Sequence, residues 1–161
     1  YWRYRLHRMS MKPRTRARAI ALQVLYETDL SNHLPGDVFK TRLEENELAE
    51  EQAEFARKII FGVHPLREEL DNVIAKYAPE WPLDQIAAID RNIIRMACWE
   101  FAISRETPTK VAINEAVELA KIYGSDSASR FVNGVLGTLV EHENEIRQAI
   151  KNKIEHIAHG G

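Results

Sequence analysis

The sequence predicts an all-α fold, and three observations carry the prediction. Apolar residues recur at i, i+3, i+4 and i+7 through most of the 161 residues, and no segment alternates apolar and polar residues as a half-buried strand does. The six prolines fall at the edges of the periodic stretches, where they start or stop helices. The chain is 45% hydrophobic and 29% charged, near globular averages, and is long enough to bury an apolar core without a disulfide or metal staple.

Pro13 suits a first helical position, where its missing N–H would have no intrahelical partner anyway. Ala17, Ile20, Ala21, Val24 and Leu25 then share one face of a helix running to about Leu30. Residues 31–36 carry Asn, Pro and Gly and read as a loop. A short helix over Asp37 to Glu45 presents Val38, Phe39 and Leu43. An acidic first turn at Glu50 opens a third helix with Phe55, Ile59, Ile60 and Val63 on its inner face, until His64 and Pro65 impose a kink or a new start. Leu66, Leu70, Val73, Ile74 and Tyr77 continue the period, and Pro79 and Pro82 close it. Ile86, Ile89, Ile93, Met96 and Ala97 define the most apolar helix, expected at the centre.

Thr107 and Pro108 read as an N-cap and first turn, and Gly124 as a left-handed stop about four turns later. Residues 125–127 offer fresh caps to a helix bearing Phe131, Val132, Val135, Leu136, Leu139 and Val140. Beyond Glu141 the chain turns polar, with Ile146, Ile150, Ile154 and Ile157 in a weak helical rhythm. The expected organisation is a basic leader over 1–12, a single helical domain over 13–145 and a weakly helical polar tail over 146–161. Tyr1 to Arg8 look unlike a native start, so initiation is expected at Met9 or Met11.

Cys98 is the single cysteine, which excludes an internal disulfide and a multi-cysteine zinc site and fits a reducing, cytoplasmic setting. No apolar run approaches the ~18 residues of a spanning helix, so a membrane role is not expected. Charge is distributed unevenly. Seven of the 22 basic residues fall within 1–18 with no acid among them, leaving 15 bases against 24 acids elsewhere. A basic arm on an acidic body is a pattern associated with polyanion binding, since phosphate contacts supply most nonspecific affinity for nucleic acid.

Cations at a helix N-terminus oppose the macrodipole, each at about 0.3–1 kcal/mol, so stability alone does not place them there. At 100° per residue Arg14 and Arg18 share one side of the apolar stripe and Arg16 flanks the other, an arrangement able to straddle a phosphate backbone. By itself the run reads equally as a solvated leader. The segment Tyr123, Gly124, Ser125, Asp126, Ser127 and Arg130 sets a ring beside helix-start amides, fit to stack a splayed base; the plainer reading is a helix cap beside a core tyrosine.

Catalytic patterns are thin. The six histidines are scattered, and His142 to Glu145 lacks the second histidine at i+4 that a helical zinc site needs. Cys98 reads as core and the acidic run Glu44 to Glu54 as a solvated face. Gly134 to Gly137 has the spacing of an RNA-clamping GxxG loop but lies in an apolar stripe, where close helix packing explains it better. The chain is read as noncatalytic, with no metal and no cofactor.

Arg16-Ala17-Arg18 with Ala21 to Tyr26, then Asp90 with Ile93 to Ala97 and Glu100, then Pro108, Val111 to Lys121 and Phe131 to Leu136, resemble the NusB family of bacterial transcription antitermination factors over about residues 13–140. The resemblance implies about seven helices in two packed small bundles, and a complex with ribosomal protein NusE that binds boxA-type single-stranded RNA within the RNA polymerase antitermination complex on ribosomal RNA operons. By position it implies RNA contacts at Arg14, Thr15, Arg16, Arg18, Tyr123 and Ser127, and a NusE surface at Tyr77, Asp90 and Arg91. Two positions depart from the family pattern: Gly137 stands where an acid is common, and Ala128 where a serine precedes the basic-Phe pair. Alternative readings are an RNA-delivery module like the domain fused to RNA cytosine methyltransferases, and a helical protein-interaction adaptor. One sequence leaves a homodimer open.

Overall fold

The computed structural model describes residues 11–160, so Arg3, Arg5 and Arg8 of the expected leader lie outside the described residues. Every regular element among the described residues is helical. The chain divides into two compact units, residues up to 64 and residues from 65 on.

The first unit holds α1 (Pro13–Leu30), α2 (Pro35–Glu45) and α3 (Glu50–Val63). Helix α1 packs on both α2 and α3 and is its centre. Ala17, Ala19, Ile20, Ala21, Leu22 and Val24 are fully buried, the alanines letting neighbouring elements approach closely. Val38 and Phe39 of α2 and Ile59, Ile60 and Val63 of α3 complete this core. Helix α2 begins two residues earlier than the sequence suggested: Pro35 takes the first helical position with Leu34 as N-cap, the arrangement Lys12 and Pro13 make in α1. The interruption expected at His64 and Pro65 is a 3₁₀ turn, His64–Leu66.

The second unit holds α4 (Arg67–Tyr77), a 3₁₀ turn (Leu83–Gln85), α5 (Ala88–Cys98), α6 (Thr109–Tyr123), α7 (Ala128–Val140) and α8 (Glu143–Gly160). Helix α5 runs directly into a π-helix, Trp99–Ser104, and packs against α4, α6 and α7, the central place expected of it, although α7 is the more apolar helix. The wider winding ends at Arg105, whose φ of 59° is left-handed and whose amide donates to the Glu100 carbonyl at 2.9 Å. Ile86, expected within α5, precedes it in the turn region.

Two buried polar groups tie the second unit together. Arg95, 4% exposed, donates from Nε and an η-nitrogen to both Asp71 oxygens at 2.7 and 2.6 Å, and from its other η-nitrogen to Asn92 at 3.2 Å. The Thr107 hydroxyl, expected to cap α6, donates instead to buried Glu100 at 3.1 Å, and the N-cap is Pro108. The polar C-terminal segment forms α8. It packs on the π-helix and α4, with Ile146 and Ile150 buried and Ile154 exposed.

Candidate nucleic-acid interface

Helix α1 opens with no acid in its first turn and no side-chain cap on its N-terminal amides. Its cations therefore meet the positive end of the dipole uncompensated. Arg14 is exposed. Its guanidinium carbon lies 4.6 Å from the centroid of the Phe55 ring on α3, and that of Arg18 lies 4.8 Å from the same centroid. The helical spacing that put Arg14 and Arg18 on one side is thus realised. Arg18 is only 2% exposed and Thr15 only 6%, so neither presents its side chain to solvent. Arg16 is half-buried, and its Nε has no hydrogen-bond partner among the described residues.

The turn between α6 and α7 belongs to the second unit. Tyr123 is 8% exposed and belongs to the core. Ser127 occupies the N-cap position of α7 and is exposed, yet its hydroxyl makes no capping bond. Ser125, Asp126 and Arg130 are also exposed. Gly124 is not the left-handed stop expected: at φ −90° and ψ −177° its backbone is open to any residue. Close approach explains it instead. A Cβ there would lie 2.4 Å from the Ala128 Cβ, 2.8 Å from the Ala120 carbonyl oxygen and 3.1 Å from Asp90 Oδ1.

Of the residues expected to face a protein partner, Asp90 is the most informative. It is 7% exposed, its Oδ1 has no hydrogen-bond partner among the described residues, and burial pushes its pKa above the ordinary value. It lines an open cavity of about 240 Å³ with Trp81, Gln85, Ile86 and Phe131, the Trp81 and Phe131 rings meeting edge to face at 6.4 Å. Such a groove suits an apolar side chain flanked by a donor for Asp90. Arg91 is half-buried. Tyr77 is half-exposed and stacks on His142 at 4.8 Å.

The structure thus gives Phe55, Trp81 and Phe131 neighbours that the sequence did not name: periodicity places Phe55 and Phe131 on apolar helix faces and leaves Trp81 unassigned. Nothing in a local pattern marks a ring as the seat of an arginine two helices away. Of the GxxG pair, Gly134 lies beside Trp81, as packing requires, but a side chain at Gly137 would meet open space, so packing does not explain that glycine. Burial pushes the Cys98 thiol up to about 12, which makes it inert as a nucleophile. Among the described residues no group of three or more His, Cys, Asp or Glu side chains is placed to hold a metal, and no helix is long and apolar enough to cross a membrane.

The profile of the NusB family matches residues 15–141. A transcription antitermination protein NusB from Roseiflexus sp. (strain RS-1) is 50% identical over 137 residues, covering 84% of this chain and 96% of that protein. Among solved structures, one of antitermination factors NusB and NusE in complex with dsRNA is 30% identical with a TM-score of 0.72, over 87% of this chain and 99% of its own. The T. maritima NusB structure is 29% identical with a TM-score of 0.71, over 91% and 99%.

Proposed function

The chain belongs to the NusB family, and from that premise we propose that it is a noncatalytic transcription antitermination factor that binds boxA-type single-stranded RNA together with ribosomal protein NusE. In this reading it acts in the cytoplasm as part of the RNA polymerase antitermination complex, supporting transcription of ribosomal RNA operons. One observation carries the RNA half: Arg14 and Arg16 stand at the start of α1 without a carboxylate partner among the described residues. An unneutralised guanidinium fork binds phosphate bidentately. Arg18 and Thr15 act from beneath, as packing residues that shape the surface.

The NusE half rests on the groove holding Asp90. The groove offers a docking protein the Trp81 and Phe131 rings beside the Asp90 carboxylate, an apolar seat with an acidic edge. If the two ligands share one platform, each strengthens the other's hold by the same factor.

The test is titration of a boxA oligonucleotide with wild type and an Arg14→Ala/Arg16→Ala variant, at two salt concentrations, with and without NusE. Removing one phosphate-binding cation lowers the salt slope by about 0.7 for a single strand, so the double variant is expected to bind more weakly and with a shallower slope. Wild-type affinity and slope in that variant would sink the proposal. A duplex of the same sequence serves as the comparison for strandedness, and tighter binding to it would overturn the single-strand assignment.

A further inference from the structure

We propose that Phe55 is a positioning residue for RNA binding, its ring fixing the Arg14 guanidinium in place without consuming any of its hydrogen-bond donors. The inference rests on the RNA reading above and deepens it. Arg14 and Arg18 both lie over this one ring, at 4.6 and 4.8 Å. Phe55 is itself only half-buried, so its ring is not wholly enclosed in the core.

Other arginines of the same unit are held differently. Arg57 also lies over a ring, that of Phe39 at 5.1 Å, but its Nε donates to Glu54 at 3.2 Å. Arg42 pairs with Glu45 at 2.6 Å and with Glu27 at 3.3 Å. Those arginines have carboxylates that occupy donors and cancel charge. Arg14 is held by a ring and by no carboxylate among the described residues.

A π face attracts a cation through its quadrupole and accepts no conventional hydrogen bond, so the N–H fork and the full charge remain for an incoming anion. A long arginine side chain otherwise gives up several torsional freedoms when it binds, and an anchor in place beforehand removes part of that loss. Arg18 lies on the same ring but is buried, and packs there without reaching solvent.

The experiment measures boxA affinity, with NusE present, for wild type, Phe55→Leu, Phe55→Tyr, Arg14→Ala and the Phe55→Leu/Arg14→Ala pair. Leucine keeps an apolar side chain and removes the quadrupole, so Phe55→Leu is expected to weaken binding about two- to fivefold, the range of an exposed cation–π contact. Tyrosine restores the ring and the affinity. The paired variant binds no more weakly than Arg14→Ala alone, because Phe55 acts through Arg14.

Binding by Phe55→Leu equal to wild type, alongside weakening by Arg14→Ala, would overturn the role of Phe55 and leave the RNA reading standing. An Arg14→Ala variant with undiminished binding would remove the RNA role of Arg14, and the inference with it. An undiminished effect of Phe55→Leu in the Arg14→Ala background would overturn the positioning role, because the ring would then act through the fold. One readout needs no variant: the Arg14 side-chain proton resonances of the wild-type protein should be displaced upfield by the ring current, and random-coil values would overturn the proposal.

Discussion

Replacing Gly124 by alanine sets two backbone effects against each other. At φ −90° alanine is conformationally allowed, and losing the freedom of glycine in the unfolded chain normally stabilises by about 0.4–1 kcal/mol. The added Cβ, however, would stand 2.4 Å from the Ala128 Cβ and 2.8 Å from the Ala120 carbonyl oxygen. Neither neighbour is the end of a flexible side chain, so the end of α6 and the start of α7 must separate. Overpacking of this kind costs about 1–3 kcal/mol, and the upper part of that range applies where backbone has to move. The net expectation is a loss of about 1–2 kcal/mol, or a fall of about 2–8 °C in Tm at 2–4 °C per kcal/mol for a chain of this length. Urea unfolding followed by tryptophan fluorescence is the assay, since Trp81 and Trp99 both lie in the second unit. Ala128→Gly in the same background removes the nearest obstruction and should recover part of the loss, a departure from additivity. A Gly124→Ala variant as stable as wild type would refute the reasoning, because the turn would then open without cost.

Two further outcomes follow from buried charge. Asp71→Ala takes the carboxylate from the Arg95 guanidinium, which is 4% exposed, and leaves it the Asn92 side chain at 3.2 Å; because the Asp71 side chain is itself 30% exposed, the loss is set at about 2–4 kcal/mol by urea unfolding, somewhat below that of a fully buried pair. A loss under about 1 kcal/mol would show that water solvates Arg95 in the fold. Burial raises the Asp90 pKa above its ordinary value of 3.8, so the folded state holds that proton more tightly than the unfolded chain. The stability tied to it is full below the unfolded value and is lost as pH rises through the folded value. Asp90→Asn should therefore be more stable than wild type at neutral pH, with a flatter acid-side profile of urea midpoints, while binding NusE more weakly. A variant destabilised at neutral pH would indicate that the ionised carboxylate has a stabilising partner.

The helices were legible because their signals are local. Pro13, Pro65 and Pro108 stand at element boundaries, and the 3.6-residue apolar rhythm survives into the structure from α1 to α7. Departures arose where a distant residue overrode a local preference. Thr107 has the chemistry of a cap but bonds to Glu100, seven positions back. Gly124 has the chemistry of a left-handed stop but is required by Ala128 and Ala120 crowding it. Pro35 started α2 two residues early because proline pre-sets the helical φ whatever acid follows.

By itself, the sequence determined the helical class, the kinship with NusB and the cation run at the head of α1, since periodicity, motif spacing and charge are all properties of the chain in order. Only the tertiary structure decided which of those cations reach solvent. Arg14, Arg16 and Arg18 are equivalent in composition, yet one is exposed, one half-buried and one buried. The same holds for Asp90, whose buried, unpaired oxygen is visible only once the helix end at Gly124 is brought against it. Burial depends on what other segments bring to a position, and no window of neighbouring residues contains that information.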